Sequence, residues 1–283
     1  MKTACIVLTL LILVAIMAVC VMVKFATDIN VEEKKRDYLL NGNVFSLARS
    51  MGVITLNENH TYDNVERFPY VAAITRNTSN SWTFACFASV ILTKWVVTAA
   101  HCRTRGATHR VLLYYDFATN RSQTYPILIW RLYETFNYTD RGKYDIAVAK
   151  LNVDYYPFNM RPSLFDNKPV QPVIQASVWR TVSTMHKKLF LTDDFANYDL
   201  KVAEDVKCFE AYGIPIDESH ICVDLNDYDD CFVHEFGPIY SGDKVAGVLS
   251  EKPRDCDTKY AIFTNVSFYA DWVLKSTHTT FYG

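Results

Sequence analysis

Short runs of β-branched and aromatic residues alternate with polar turn residues along most of the chain. Ten such runs predict β-strands: Tyr70–Ile74, Ala88–Thr93, Trp95–Thr98, Val111–Tyr115, Tyr125–Trp130, Asp145–Leu151, Gln175–Arg180, Lys188–Leu191, Lys244–Ser250 and Tyr260–Thr264. Clusters of Asn, Asp, Ser, Gly and Pro separate them at short intervals, which predicts an all-β barrel or sandwich. Ser267 is placed to cap a final helix in which Phe268, Trp272 and Val273 share one face.

The first 67 residues follow a different pattern. Ala4–Val23 is an unbroken apolar run between two lysines, and its length suits a helix that crosses a bilayer. We predict an uncleaved signal anchor over residues 1–24, with a cleaved signal peptide as the alternative, because Ala18-Val19-Cys20 also resembles a cleavage site. Residues 25–67 are polar and lack periodicity, which predicts a stem or pro-segment.

Composition limits the cellular compartment and the class of partner. The 283 residues carry a formal net charge of −2 and no basic run of five, which argues against a nucleic-acid surface. Six cysteines lie beyond the apolar segment, and an even set behind a targeting segment predicts disulfides in an oxidising compartment. They are Cys86, Cys102, Cys208, Cys222, Cys231 and Cys256. Five glycosylation sequons, at Asn59, Asn77, Asn120, Asn137 and Asn265, agree with an extracellular location, either membrane-anchored or secreted.

Several motifs in series resemble those of one protein family. Trp95–Cys102 reads W-V-V-T-A-A-H-C and resembles the histidine motif of the chymotrypsin-like (S1) serine proteases. Asp145–Leu151 resembles the segment that carries the family's catalytic aspartate. Phe68–Tyr70 resembles the opening strand, whereas Phe263–Val266 and Asp271–Val273 resemble the closing strand and helix. The resemblance implies a trypsin-like domain over residues 68–283, built from two six-stranded antiparallel β-barrels and a C-terminal helix.

The resemblance also implies the disulfide pairing and two catalytic positions. By analogy with the family, the bridges join Cys86 to Cys102, Cys208 to Cys222, and Cys231 to Cys256. Six cysteines allow 15 pairings, and sequence alone does not choose among them. Acyl transfer by this family needs a serine, a histidine that takes its proton and an aspartate that orients the histidine. His101 and Asp145 stand at the second and third of these positions.

The nucleophile position carries a carboxylate instead of a hydroxyl. The family pattern Cys-x-Gly-Asp-Ser-Gly-Gly-Pro aligns without a gap with Cys231-Phe232-Val233-His234-Glu235-Phe236-Gly237-Pro238. Glu235 therefore replaces the serine. His234 replaces the aspartate that receives the new N-terminal ammonium in activated proteases, and Val233 and Phe236 replace glycines around the oxyanion hole. We expect Glu235 to hydrogen-bond or ion-pair with His101.

The substrate pocket also departs from the family pattern. Asp229 occupies the floor position that selects Lys or Arg in trypsin-like members, although the acidic segment around it is equally well interpreted as a surface loop. Lys252 and Ala261 stand where glycines form the pocket walls, and Ser250 matches a serine on the substrate-facing strand. Lys252 is placed to fill the pocket and pair with Asp229.

The sequence predicts a catalytically inactive serine protease homologue of the insect type that acts as an extracellular binding or regulatory module. Its expected partner is another protease, an inhibitor or a further extracellular protein, and no cofactor is expected. His101, His234 and Glu235 lack the spacing of a metal site. The alternatives are an active trypsin-like endopeptidase with an unusual site, and a purely structural, membrane-tethered protein.

Overall fold

The computed structural model describes most of the predicted protease-like domain. The described residues are 70–78, 81–92, 94–114, 116, 123–139, 142–153, 163–183, 189–226, 237–253, 255 and 257–278. All of them belong to one compact unit, Leu56–Gly283. No helix within these ranges is long and apolar enough to cross a membrane, and the predicted anchor Ala4–Val23 lies outside them.

The first half of the domain closes into an antiparallel barrel of six strands. They are β1 (Val71–Thr78), β2 (Ser81–Leu92), β3 (Trp95–Thr98), β4 (His109–Leu113), β5 (Thr124–Leu132) and β6 (Ala147–Leu151). Their order around the barrel is β1-β2-β3-β6-β5-β4. Inward positions carry small or β-branched apolar side chains such as Ile74, Val111 and Val148, all fully buried, because these shapes fill the narrow interior of a closed sheet.

The second half repeats this architecture. Its strands are β7 (Val173–Ser183), β8 (Leu189–Val202), β9 (His220–Asp224), β10 (Ile239–Ser241), β11 (Lys244–Glu251) and β12 (Tyr260–Asn265). They close in the order β10-β11-β12-β9-β8-β7, and every pairing is antiparallel. The prediction of an all-β fold with two six-stranded barrels is confirmed.

Aromatic side chains fill the seam between the barrels. Tyr114 of the first barrel stacks on Phe195 of the second, with ring centroids 3.9 Å apart, and presents an edge to Trp179 at 5.2 Å. Phe87 stacks on Trp179 from the other side at 6.2 Å. Large aromatic rings bury much apolar area and gain further from such geometries, so this seam stabilises the arrangement of the two barrels.

A buried polar bridge crosses the same seam. The Tyr240 hydroxyl in β10 donates to Ser89 Oγ in β2 at 3.1 Å, and Ser89 Oγ lies 2.9 Å from Ser163 Oγ. Ser163 also donates to the carbonyl of Val90. All the hydroxyls are therefore paired away from water, which is the condition for burying them at acceptable cost. Burial is also the main reason that the pKa of Tyr240 lies well above its ordinary value.

Two α-helices complete the second half. Helix α1 (Asp205–Tyr212) ends at Gly213, whose φ of 69° is the left-handed conformation that terminates helices and that glycine adopts without strain. Helix α2 (Ala270–His278) packs against the first barrel, where Arg131 Nη1 donates to the carbonyl of Ser276 at 2.5 Å.

The predicted start of the final helix is wrong in detail. Helix α2 begins at Ala270, and Phe268 precedes it with half of its surface exposed, whereas Val273 is fully buried. The side chain that accepts hydrogen bonds ahead of this helix is that of Asn265 and not the predicted cap Ser267. The Asn265 side-chain oxygen accepts the backbone N–H groups of Ser267 and Phe268 at 3.0 and 3.4 Å. This turn delays the first helical residue and directs Phe268 to the surface.

Alkaline pH tests the packing of α2 through Tyr269, the buried residue before it. Burial raises the pKa of Tyr269 to about 12 from 10.0. The folded state therefore holds the phenolic proton more tightly than the unfolded state, and this stability is complete below pH 10 and lost between about pH 10 and 12. We expect Y269F to retain about 2 kcal/mol more of its neutral-pH unfolding free energy than wild type at pH 12. Urea titrations across this range, with Y144F at the surface as control, measure the difference, and identical alkaline limbs for wild type and Y269F would contradict it.

Candidate active site

Strand pairing brings His101 and Asp145 together across 44 residues of sequence. His101 lies in a 3-10 helix, Ala100–Cys102, that follows β3 directly, and Asp145 lies just before β6. Strands β3 and β6 are neighbours, with Thr98 opposite Ala147. The end of one strand and the start of the other therefore meet at one end of the first barrel, facing the second barrel.

Two hydrogen bonds fix the imidazole on the carboxylate. His101 Nδ1 donates to Asp145 Oδ2 at 2.7 Å, and the backbone N–H of His101 donates to Oδ1 at 2.9 Å. The Asp145 side chain is 1% exposed, whereas that of His101 is 21% exposed. This is the arrangement in which a buried carboxylate orients a histidine and stabilises its protonated form, leaving Nε2 for other partners.

The second barrel supplies two further hydrogen bonds to Asp145. Ser250 Oγ at the end of β11 donates to Oδ2 at 3.0 Å, and Thr264 Oγ1 in β12 donates to the backbone carbonyl at 2.9 Å. Ser250 was singled out by sequence, but Thr264 was not. Thr264 was missed because its contact with Asp145 joins residues 119 positions apart. The motif around Phe263–Val266 indicated only the closing strand of the family.

The backbone just before Asp145 is strained. Tyr144 has a φ of 59°, a left-handed conformation that is unfavourable for a residue with a β-carbon. Its ring stacks flat on Tyr133 with centroids 5.3 Å apart, and its carbonyl accepts the N–H of Ile146 at 2.8 Å. These contacts hold a conformation that costs on the order of 1–2 kcal/mol and directs the Asp145 side chain towards His101.

A disulfide lines the wall behind the histidine. Cys86 and Cys102 are bonded, and the imidazole Nε2 lies 3.6 Å from the first Sγ and 3.9 Å from the second. These atoms border a small cleft whose other lining residues include Pro238 and Val248. The three residues lie close enough to suggest a metal site, but sulfurs joined in a disulfide are not thiolates and do not bind zinc. A second disulfide joins Cys208 to Cys222, so both bridges match the pairing implied by the family resemblance.

The backbone at Gly237, two residues before β10, is tightly packed. The N–H of Gly237 donates to the carbonyl of Ser177 at 2.8 Å. A Cβ atom at this position would lie 2.2 Å from the Ser177 oxygen, closer than any real Cβ contact. Only glycine therefore fits at this position.

Most of the other predicted site residues lie outside the described ranges. These are Asp229, Cys231, Val233, His234, Glu235, Phe236, Cys256 and the sequons Asn59 and Asn120. The nucleophile position, the pocket floor, the third disulfide and the pair between Lys252 and Asp229 remain predictions. Lys252 follows β11 directly and is half-buried, whereas Ala261 is fully buried in the second-barrel core opposite Val223.

The three described sequons differ in their surroundings. Asn137 is exposed, and its side-chain oxygen accepts the hydroxyl and the N–H of Thr139 at 2.9 and 3.1 Å. Asn265 is half-buried, and its amide nitrogen donates to the carbonyl of Glu218 at 2.9 Å. Asn77 is half-buried in β1. A glycan is therefore accommodated most readily at Asn137.

Comparisons with known proteins agree with this geometry. Residues 58–273 match the family described as Trypsin. The chain is 28% identical over 226 residues to a collagenase from Hypoderma lineatum, covering 76% of this chain and 84% of that protein. It is 25% identical to the snake venom serine protease homolog rhinocerase 2 from Bitis rhinoceros, covering 74% and 83%. The solved structure of HL collagenase superposes with a TM-score of 0.60 at 24% identity over 77% of this chain and 96% of that one.

Removing the Asp145 carboxylate should destabilise the fold strongly. D145A leaves the buried Ser250 hydroxyl and two donors of His101 without their acceptor, at about 1–3 kcal/mol for each group that stays dry. We expect a loss of at least about 3 kcal/mol, against about 1 kcal/mol for S250A. Chemical denaturation of both variants and of the double variant measures these losses. Equal, small losses would contradict the central role of the carboxylate.

Gly237 should tolerate no side chain. G237A forces a methyl group into the Ser177 carbonyl and stretches its own hydrogen bond, and we expect a loss of about 1–3 kcal/mol. The matched variant is G142A, whose added methyl group meets the side chain of the partly exposed Ile214 at 2.9 Å. This variant should cost less, because a partly exposed side chain can shift where the Ser177 backbone carbonyl cannot. Thermal melts compare the two, and a larger loss for G142A would contradict this packing argument.

Proposed function

The chain belongs to the trypsin family, and from that premise we propose that it is a catalytically inactive serine protease homologue acting as an extracellular binding or regulatory module. The observation that carries the proposal is Glu235 at the position of the nucleophilic serine. The insect-type subclass forms part of the same proposal.

We call Cys231–Pro238, the segment that aligns with the family's nucleophile motif, the reactive loop. The register of this alignment rests on the two ends of the segment. Cys231 lies four residues before Glu235, and Gly237-Pro238 ends the family pattern without a gap. The steric need for glycine at position 237 supports this register, because a shift of one residue would place Phe236 or Pro238 against the Ser177 carbonyl. Ser241 and Ser250 stand beyond the loop, and Ser250 is already hydrogen-bonded to Asp145.

The chemistry argues against residual peptidase activity. Removing the nucleophile of a catalytic triad reduces turnover by about 10⁶, and the remaining activity depends on an intact oxyanion hole. Val233 disfavours any positive-φ geometry at the oxyanion-hole position because its side chain is β-branched. His234 also lacks the carboxylate that receives the new N-terminus in activated members of the family. A carboxylate nucleophile would have to form an anhydride from an unactivated amide, which is a poor alternative to an ester.

One observation favours the second candidate, an active endopeptidase. The pair of His101 and Asp145 keeps the geometry of a working base, with the 2.7 Å bond between Nδ1 and Oδ2. Asp229 at the pocket floor would then select Lys or Arg substrates. We favour the inactive form because the same pair has a structural role: it satisfies a buried carboxylate whether or not a reaction follows.

The role as a binding module follows from what the domain retains. The barrels, two disulfides and the cleft beside His101 form a rigid surface, which suits recognition of another extracellular protein, such as a protease or an inhibitor. Relatives in this family include both collagenase and serine protease homologs by name. Glycosylation at Asn137 and a membrane-anchored or secreted location belong to this proposal.

An active-site probe tests the inactive assignment. We expect the full chain, expressed through a eukaryotic secretory pathway and treated with trypsin, not to react with a fluorophosphonate that labels catalytic serines. E235S should also remain unlabelled or label slowly, because Val233, His234 and Phe236 still disrupt the loop. Mass spectrometry detects the adduct. Labelling of a single wild-type serine, with hydrolysis of Arg or Lys amides that H101A abolishes, would establish the endopeptidase instead.

A further inference from the structure

The two halves of the domain sequence carry opposite net charge. Residues 70–153 contain ten Lys and Arg against four Asp and Glu, whereas residues 163–278 contain 11 Lys and Arg against 19 Asp and Glu. The near-neutral total of the chain conceals this separation. A basic first half beside an acidic second half defines where an anionic partner is attracted and where it is repelled.

Three arginines lie close together at one end of the first barrel. Arg76 in β1 lies opposite His109 in β4, so these two side chains share one face of the sheet, whereas the next residue, Arg110, lies on the other face. Arg103 and Arg105 lie in the loop after the 3-10 helix, and Arg76 Nη1 donates to Thr104 Oγ1 between them at 2.9 Å. We refer to Arg76, Arg103 and Arg105 as the arginine cluster.

A neighbouring aromatic ring orients one of these guanidinium groups. Arg105 lies over the ring of Tyr138, 5.0 Å from the centroid, and Tyr138 donates in turn to the carbonyl of Arg103 at 3.1 Å. On the other face of the sheet, Arg110 lies over Trp82 at 4.1 Å. Stacked guanidinium groups lose less freedom on binding, and their N–H edges remain available for a bidentate contact with a carboxylate.

No described carboxylate neutralises the cluster. Of the acidic residues that the structure describes in the first barrel, Asp116 and Asp145 are buried, and Glu134 accepts the indole N–H of Trp272. The positive charge also acts on His109. Burial is the main cause that lowers the pKa of His109, and the charges of Arg76 and Arg103 lower it further. Within the described ranges, no carboxylate approaches the three guanidinium groups to salt-bridge distance.

The cluster adjoins the candidate site. Arg103 is exposed and lies two residues beyond His101, and its N–H donates to the carbonyl of Ala100 at 3.2 Å. The Arg103 side chain therefore begins beside the cleft. The cluster and the cleft therefore form neighbouring parts of one potential binding face.

We propose that the arginine cluster is a docking site for an acidic peptide segment of the partner protein, an inference that rests on the proposed binding function and names its chemistry. Guanidinium groups match carboxylates in geometry and charge. The site is compact, comprising one strand end and one loop, and the second half of the domain sequence has a net negative charge. A short acidic segment suits a site of this size better than an extended sulfated polysaccharide, because that negative half repels the further charges of a long polyanion.

Binding of a labelled octaglutamate peptide to the full chain tests this assignment by fluorescence anisotropy. Arg103 and Arg105 are both exposed, so R103A/R105A should fold normally, which a thermal melt verifies. We expect this variant to bind at least about tenfold more weakly, and wild-type affinity to fall steeply between about 50 and 500 mM salt. The matched control, K168A/K207A, removes the same charge from exposed lysines of the second barrel and should bind like wild type.

Three outcomes would overturn the inference. They are equal losses in R103A/R105A and K168A/K207A, salt-independent binding, and tighter binding of a sulfated oligosaccharide of equal charge through the same arginines. The last outcome would assign the surface to a polysaccharide. The assay involves no hydrolysis, so fluorophosphonate labelling would refute the inactive assignment without affecting this result, and a failed peptide assay would leave that assignment intact.

Discussion

The buried carboxylate of Asp145 is the group on which the rest of the site depends. It accepts hydrogen bonds from His101 of the first barrel and from Ser250 of the second, while its backbone carbonyl accepts one from Thr264. A carboxyl group so deeply buried is tolerable only when hydrogen-bonding partners surround it. The two barrels must therefore keep a fixed relation to satisfy this single residue, and the cleft between them is maintained as a result.

This dependence gives the pair of His101 and Asp145 a structural role that does not require catalysis. Replacing Asp145 or His101 would leave buried polar atoms unpaired, whichever residue stands at the nucleophile position. Selection for folding alone therefore preserves the base and its orienting carboxylate. An intact His–Asp pair is thus weak support for activity in this family, and the identity of residue 235 carries more information.

The strand pattern predicted an all-β fold well, because the strands are short and rich in β-branched residues with turn residues between them. The two six-stranded barrels were implied by the family resemblance. The strand pattern missed β9 and β10: the former begins with a histidine and ends with an aspartate, and the latter has only three residues. Helix α1 escaped prediction because Val206 and Phe209 are exposed and only Cys208 is buried. At the site, motifs located His101, Asp145 and Ser250. The left-handed Tyr144 carries no sequence signal, since glycine or asparagine is the usual occupant of that conformation.

The opposite net charges of residues 70–153 and 163–278 give the domain an electric dipole between its two halves. Over the Debye length, about 8 Å at physiological ionic strength, such a dipole turns an approaching particle before contact. Encounters with an anionic body would then be orientationally selected, with the basic half leading and productive collisions occurring more often than random tumbling allows. Because like ends repel, the same asymmetry hinders two copies from meeting side by side in the same orientation.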